Sequence, residues 1–256
     1  MKSYTTLLFV FVALLYLNCK DEKKTIETAE NVTENAVDGT LKIIPIEHAT
    51  LILESGDDVI YVDPTGGAEA FKGQKPATLI LITDIHGDHL SLKTLDKLNL
   101  ENSKIIAPKA VADKIPSTTA SNVEVLNNGE TTILGKLSIE AIPMYNLREE
   151  ALKFHEKGRG NGYVLTINNE RIYISGDTED IPEMRNLKNI DKAFVCMNLP
   201  YTMPVENAAS AVLDFKPKEI YPYHYRGTAG LSDINQFKSM VNEKDKSIKV
   251  TFLEWY

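Results

Sequence analysis

Short apolar runs separated by turn residues make up most of the chain from residue 41 onward, and in the first half they predict strands with a few short helices. The predicted strands are Leu41–Ile46, Ala49–Glu54, Val59–Asp63, Ala77–Ile82, Lys104–Ala107, Val123–Leu126, Thr131–Leu134 and Leu137–Ile142. The predicted helices are Leu92–Leu98 and Lys109–Lys114.

The second half repeats this pattern. Its predicted strands are Gly162–Ile167, Arg171–Ser175, Lys192–Met197, Glu219–Tyr223 and Ile248–Leu253, and its predicted helices are Glu179–Leu187, Val205–Phe215 and a helix capped by Ser232 that ends near Val241. Two halves of this kind predict two mixed sheets that face each other with helices outside. Without a long linker in residues 41–256, we interpret this range as one domain.

The first 19 residues follow a different pattern. Lys2 precedes an apolar run from Leu7 to Leu17, which has about the length of a signal-peptide core and is short for a membrane span. The run stops at Cys19, so the segment resembles the signal of a bacterial lipoprotein. We therefore expect an acylated Cys19 and export to the periplasm or cell surface, anchored to a membrane. A cleaved soluble form and an uncleaved anchor are the alternatives.

Residues 20–40 are rich in Glu, Lys, Thr and Asn, which predicts a flexible tether. Over the whole chain, a formal net charge of −8 argues against nucleic acid as a partner. The two cysteines, Cys19 and Cys196, exclude a disulfide framework and a cysteine-rich zinc module.

The densest polar cluster is the motif Thr83–His89, which lies between a predicted buried strand and a predicted helix. It places Asp84, His86, Asp88 and His89 within six residues. Carboxylate oxygen and neutral imidazole nitrogen are both good ligands for a divalent metal, so we interpret the motif as part of a metal site. The alternative is a polar turn on a solvated surface.

Other acidic and histidine side chains follow predicted strands elsewhere. Asp177 comes after Arg171–Ser175, and His224 comes after Glu219–Tyr223. One histidine at a strand end is more often structural than a ligand, but several such ends converging favour a site built from loops at one edge of the sheets.

With these motifs in order, the chain resembles the metallo-β-lactamase superfamily. Pro45–Thr50, Val62–Pro64, Ser175–Thr178 and Tyr221–His224 further resemble the branch that contains ascorbate-phosphate lactonase and N-acyl-phosphatidylethanolamine phospholipase D. The resemblance covers about residues 41–256. It implies a four-layer αββα sandwich of the α/β (α+β) class, with a dinuclear metal site in which a metal-bound hydroxide attacks the substrate.

The resemblance also implies a role for each site residue. His86 matches a ligand of the first metal, and Asp84 occupies a position where the family normally has histidine. Asp88, His89 and His224 match ligands of the second metal, and Asp177 matches the carboxylate that bridges both. The remaining first-metal histidine is replaced either by Asn146 or by His155, and both readings stay open.

Carboxylate at Asp84 makes the first site more oxygen-rich, which either moves its preference from zinc towards manganese, iron or magnesium or weakens the site. We expect one or two divalent metals, with zinc first and manganese or iron as alternatives. The ligand set of the second metal is complete, so one metal is the safer prediction.

Further residues are candidates for catalysis and substrate binding. Asp88 can orient the attacking hydroxide or accept its proton. His48 is either a positioning residue or general acid, or a half-buried structural histidine. Tyr223, Tyr225 and Arg226 flank His224 and, together with Asn146, are candidates to hold a small-molecule substrate, including an anionic group.

Two functions follow. The first is a metal-dependent hydrolase of a phosphoester, phosphodiester or lactone. The second is a membrane-anchored metal-binding or ligand-binding protein that has lost catalysis, which the departures at Asp84 and Asn146 motivate.

Overall fold

The computed structural model describes Met1 and residues 40–256, so the predicted signal segment with Cys19 and nearly all of the predicted tether lie outside the described residues. The first sheet has six strands in spatial order: β1 (Lys42–Glu47), β2 (Thr50–Ser55), β3 (Asp58–Val62), β4 (Leu79–Leu81), β5 (Lys104–Ala107) and β6 (Val123–Val125). The first three strands pair antiparallel and the later pairs are parallel, so the sheet is mixed.

The second sheet has seven strands and is also mixed. They are β7 (Thr131–Leu134), β8 (Leu137–Met144), β9 (Gly160–Ile167), β10 (Glu170–Ile174), β11 (Lys192–Val195), β12 (Glu219–Pro222) and β15 (Lys249–Val250). β7 to β10 pair antiparallel, and β10, β11, β12 and β15 pair parallel. A separate ribbon pairs β13 (Arg226–Gly227) with β14 (Gly230–Leu231).

Alternation along the strands shows how the layers pack. In β4, Leu79 and Leu81 belong to the large core that includes residues of the second sheet, whereas Ile80 belongs to a smaller core on the other face. Successive side chains of a strand point to opposite faces, so the first sheet buries one face against the second sheet. The other face packs against Leu95 and Val111 of the outer helices. The predicted sandwich of two mixed sheets is confirmed.

Five α-helices and two 3₁₀ turns complete the described chain. The helices are α1 (Leu92–Leu95), α2 (Lys109–Ala112), α3 (Pro182–Arg185), α4 (Val205–Phe215) and α5 (Ile234–Lys244), and the 3₁₀ turns are Ala68–Phe71 and Glu149–Ala151. Within residues 40–256, no helix has the length and apolar character that a membrane crossing requires.

Several predicted boundaries were wrong. The helix predicted from Glu179 begins only at Pro182, because Glu179 instead accepts hydrogen bonds from the backbone of Leu147 and Arg148. The last helix is capped by Asp233, whose carboxylate accepts from two backbone amides, while the Ser232 hydroxyl donates to the carbonyl of Met197.

Further elements are shorter than predicted, among them two helices and the final strand. The helices from Leu92 and Lys109 end after about one turn, at Leu95 and Ala112. The final strand is limited to Lys249–Val250, since only these residues pair with β12.

We expect Gly176→Ala to destabilise the fold. Gly176 has a φ of 61°, and a Cβ there would lie 2.5 Å from Met144 Sδ and 3.1 Å from Thr83 Cβ. Strained backbone and overpacking together should cost about 2–4 kcal/mol of unfolding free energy, measured by urea titration. Gly129→Ala is the control, because Gly129 also has a positive φ but an added Cβ would meet nothing within 4 Å. Equal losses in both variants would contradict the packing argument.

Candidate metal centre

Strand direction brings the candidate residues to one edge of each sheet. In the first sheet β1, β3 and β4 run the same way, and they are followed by His48, Asp63 and the motif Thr83–His89. In the second sheet β8, β10 and β12 share a direction. The residues after those ends include Asn146, Asp177 and His224.

Two groups of side chains meet there. The first group consists of Asp84, His86 and His155, and the second group consists of Asp88, His89, Asp177 and His224. The groups are numbered after the first and second metals of the sequence prediction. Within each group, one ligand atom from every member lies within 4.8 Å of the others. Of the seven residues predicted as ligands, all are therefore brought together by the fold.

The second group has its donor atoms turned towards a common point. His89 Nε2 lies 3.1 Å from His224 Nε2, and each nitrogen lies within 3.4 Å of an oxygen of Asp177. His224 Nε2 is also 3.4 Å from Asp88 Oδ2. Two ring nitrogens facing each other among carboxylates are the arrangement expected around a shared cation.

Asp63 determines which nitrogen of His89 is available. His89 Nδ1 lies 2.8 Å from Asp63 Oδ2 and 2.9 Å from Thr83 Oγ1. Asp63 also accepts from the backbone N–H and the hydroxyl of Thr83, which holds the carboxylate in place. A carboxylate beside Nδ1 keeps the proton there and leaves the Nε2 lone pair for a metal. Asp63 was not predicted as a site residue.

Asp177 lies between the two groups. Its Oδ1 is 3.3 Å from His224 Nε2, and its Oδ2 is 3.2 Å from His155 Nε2. Oδ1 is buried and has no hydrogen-bond partner within residues 40–256. A buried carboxylate oxygen without a donor is costly unless a cation faces it, so the donor set of the second group fits a divalent metal.

Charge interactions keep this cluster ionic. Burial alone would raise the pKa of Asp177, but the neighbouring His224 and His89 outweigh burial and hold the pKa well below its usual value. Burial would lower the pKa of His89, whereas Asp177 and Asp63 raise it well above the ordinary value. An ionised carboxylate is the form that binds a metal, and the cation then replaces the protons on the imidazoles.

The first group is centred on Asp84, whose side chain is fully buried. Asp84 Oδ2 lies 2.5 Å from His86 Nδ1 and 3.9 Å from His155 Nε2. Arg159 also contacts this carboxylate, with Nε 3.3 Å from Oδ1 and an Nη atom 3.4 Å from Oδ2. The charge of Arg159 competes with any metal for Asp84, which weakens the first group relative to the second.

Asn146 and His155 occupy different positions at the site. His155 is buried with Nε2 directed at Asp177, while its Nδ1 lies 3.2 Å from the carbonyl of Tyr201. A carbonyl only accepts, so a proton on Nδ1 would be donated to Tyr201, and Nε2, which faces the Asp177 carboxylate, would then offer its lone pair to a cation. Asn146 donates through Nδ2 to the carbonyls of Ala151 and Tyr201 and holds the loop of His155. Asn146 is therefore placed as a support for His155 rather than at the substrate.

His48 contacts the second group from one side. Its Nε2 lies 3.4 Å from Asp88 Oδ2, its Nδ1 lies 2.8 Å from the Tyr256 hydroxyl, and its ring packs on His224 with centroids 3.9 Å apart. Burial lowers the pKa of His48, and the hydrogen bond with Asp88 opposes this change. Asp88 itself keeps 43% of its side chain exposed, so it can face a substrate.

Three residues predicted to hold substrate do not line the cavity at the site. Tyr223 is fully buried and its hydroxyl accepts from the backbone N–H of Gly176, so it faces the core. Tyr225 is buried and packs edge-on against Tyr256, and Arg226 lies over the Tyr256 ring at 4.0 Å. Their placement beside His224 in the sequence did not put their side chains at the metal centre.

The cavity has a volume of about 300 Å³. It is lined by His86, Asp88, Phe154, His155, Asp177, Asn198 and Tyr201. Phe154, Asn198 and Tyr201 were not predicted. The Phe154–His155 dipeptide is the one sequence signal that could have indicated an aromatic wall, since Phe154 adjoins a candidate ligand.

Comparisons with known proteins agree with this geometry. A profile described as the beta-lactamase superfamily domain matches residues 42–224. A metal-dependent hydrolase of Thermococcus kodakarensis is 30% identical over 215 residues, which cover 80% of this chain and 93% of that protein. A similar relative from Pyrococcus abyssi is 28% identical over 219 residues, which cover 81% of this chain and 95% of that protein.

Solved structures extend the comparison. A Parabacteroides distasonis protein assigned as a metal-dependent hydrolase is 40% identical, with a TM-score of 0.76, over 84% of this chain and 94% of its own. A metallo hydrolase of Ignicoccus hospitalis has the same fold, with a TM-score of 0.70 and 21% identity over 84% of this chain and 95% of its own.

The chain belongs to the beta-lactamase superfamily and has the metallo-β-lactamase fold. The superfamily, the fold class and the enzyme class predicted from the motifs are confirmed. The narrower branch with the lactonase and the phospholipase stays a prediction.

We expect Asp63→Asn to weaken metal binding without changing the ligands. An amide cannot hold the Nδ1 proton of His89 as a carboxylate does. The affinity of the second group, which contains His89, for its ion should therefore fall about 10–100-fold. Isothermal titration with Zn²⁺ measures this, and Asp57→Asn in the exposed β2–β3 turn is the control. Wild-type affinity in Asp63→Asn would contradict the orienting role.

Proposed function

We propose that this protein is a metal-dependent hydrolase that cleaves a phosphoester, phosphodiester or lactone in a small molecule. The observation that carries the proposal is the position of Asp177, whose Oδ1 lies near His224 of the second group and whose Oδ2 lies between His155 of the first group and His89 of the second. Such a carboxylate is suited to bridge two cations. The named activity of the curated relatives supports the reaction class, and the bond cleaved is our inference.

In this proposal the second group holds one ion through Asp88, His89, Asp177 and His224. The first group holds another through Asp84, His86, His155 and the shared Asp177. Imidazole and carboxylate ligands suit zinc, and the carboxylate at Asp84 also admits manganese or iron. A bound divalent metal supplies water with a pKa near neutrality and polarises a carbonyl or phosphoryl oxygen.

The protein groups have separate tasks. Burial opposes ionisation of Asp88, but hydrogen bonds with His224 and His48 outweigh burial and hold its pKa below the usual range, so Asp88 is a carboxylate at neutral pH. It can orient the attacking water and accept its proton through the exposed part of the side chain. His48, held by the Tyr256 hydroxyl, keeps Asp88 in position and is the nearest group that could relay that proton.

One observation favours the second candidate function, a metal-binding protein without turnover. Arg159 already neutralises Asp84, so the first group has less negative charge to offer an ion. A protein that loads only the second group could bind metal and fail to hydrolyse. Membrane anchoring through Cys19 is compatible with either function and remains a proposal, since residues 2–39 lie outside the described part of the chain.

Turnover by reconstituted protein tests the function. Metal-free protein loaded with Zn²⁺, Mn²⁺ or Fe²⁺ should hydrolyse bis(p-nitrophenyl) phosphate or simple lactones, and Asp177→Ala should lose both metal and turnover because both groups share this residue. The control is Asp214→Ala, an exposed carboxylate on α4. Bound metal without turnover on any of these substrates would favour the binding function, and wild-type metal content in Asp177→Ala would refute the bridge.

The variant His155→Ala tests whether His155 is a metal ligand of the first group. Elemental analysis should show about one ion fewer per chain than in the wild type, because the second group keeps all four of its ligands. The matched control is His86→Ala, which removes a different member of the same group and should have the same effect. Unchanged occupancy in His155→Ala would remove His155 from the ligand set.

A further inference from the structure

Part of the lining of the cavity at the metal centre is apolar and has no role in the proposed hydrolysis. Phe154 and Tyr201 line it with ring centroids 5.1 Å apart and planes at 77°, an edge-to-face pair. These two rings form the apolar part of the cavity lining.

The backbone segments that carry the Phe154 and Tyr201 rings also position the candidate ligand His155. The carbonyl of Tyr201 accepts from Nδ1 of His155 and from Nδ2 of Asn146. Phe154 directly precedes His155, and its carbonyl accepts from Arg159. A group bound between the rings would consequently have a defined position relative to the metal centre.

Among residues 40–256, no lysine or arginine lines the cavity. Arg159 is engaged by Asp84, and Arg148 is engaged by Glu179 and by the carbonyls of Pro200 and Thr202. Lys153 Nζ lies 5.1 Å from the Phe154 ring centre as a cation–π contact. Positive charge for a substrate would then come from a bound metal, and Phe154 and Tyr201 give the cavity its aromatic surface.

The amide side chain of Asn198 also lines the cavity. Asn198 is 2% exposed, and its Oδ1 accepts from the Thr202 hydroxyl. In this orientation of the amide, Oδ1 is committed to Thr202 and Nδ2 is the group left for another partner. Among residues 40–256 the Asn198 Nδ2 has no acceptor, so it is available to an oxygen atom of a ligand in the cavity.

We propose that Phe154 and Tyr201 form a specificity subsite for a compact apolar group, preferably an aromatic ring, attached next to the scissile bond, while Asn198 donates to a substrate oxygen. This rests on the proposed function and deepens it. The substrate class is an ester, diester or lactone with an apolar substituent, rather than a small polyanion. Offset and edge-to-face stacking on the two rings provides the preference.

A binding measurement tests the subsite separately from turnover. Phenylphosphonate and methylphosphonate share the group that would face the metal and differ only in the apolar part. Isothermal titration of the zinc-loaded protein should give about tenfold tighter binding of phenylphosphonate, as burial of a ring predicts. In Phe154→Ala and in Tyr201→Ala the ratio should fall to about threefold or less.

Two further variants serve as controls. Tyr201→Phe should keep the wild-type ratio, because the preference depends on the ring. Phe252→Ala removes a partly buried ring that packs near the chain end, and it should also keep the ratio. Metal content and thermal unfolding of each variant show that the fold and centre are intact.

The outcomes separate the two proposals. Equal affinity for both phosphonates, no binding of either, or an unchanged ratio in both alanine variants would overturn the subsite. Preference for the phenyl ligand without turnover on any ester would keep the subsite and refute the hydrolase. Turnover without phenyl preference would do the reverse.

Discussion

The rest of the site is arranged around the buried carboxylate of Asp177. Its Oδ1 faces His224, and its Oδ2 lies between His155 and His89. Oδ1 has no hydrogen-bond donor within the described residues. A group of this kind is unfavourable by itself and becomes favourable when cations face it. Cations can be held there by the surrounding histidines and by the carboxylates of Asp84 and Asp88, which the two sheets bring together.

Backbone conformation contributes to that placement. His48, Asp63 and His224 have φ values of 56°, 44° and 45°, a left-handed region that side-chain-bearing residues adopt at a cost of roughly 1–3 kcal/mol each. Each follows directly, or nearly so, the end of a strand that runs towards the site. The strained turn lets the side chain leave the strand direction and point inward. Strain at three positions around one centre is typical of a functional site.

Parts of this site could be predicted because they depend on local pattern. The motif Thr83–His89 and the residues Asp177 and His224 follow apolar runs, and parallel strand ends meet at one edge whatever the details of packing. The sandwich followed from the same runs. Helix ends were less predictable, since Glu179 and Ser232 were drawn into tertiary hydrogen bonds that no local pattern indicates.

Other parts depended on contacts between distant residues. Asp63 fixes the proton of His89 across 26 positions, and Asn146 supports His155 through a carbonyl of Tyr201. Arg159 reaches Asp84 over 75 positions. Tyr223 was misplaced for a simpler reason: adjacency to His224 says nothing about the direction of its side chain, and its hydroxyl is committed to Gly176 in the core.

The position of Asp177 between two cations can be tested with a crystal structure of manganese-loaded protein, with anomalous scattering measured at the manganese edge. We expect two anomalous peaks, one among Asp88, His89 and His224 and one among Asp84, His86 and His155, with the Asp177 carboxylate contacting both. A single peak that leaves one oxygen of Asp177 without a metal, or peaks away from Asp177, would contradict it.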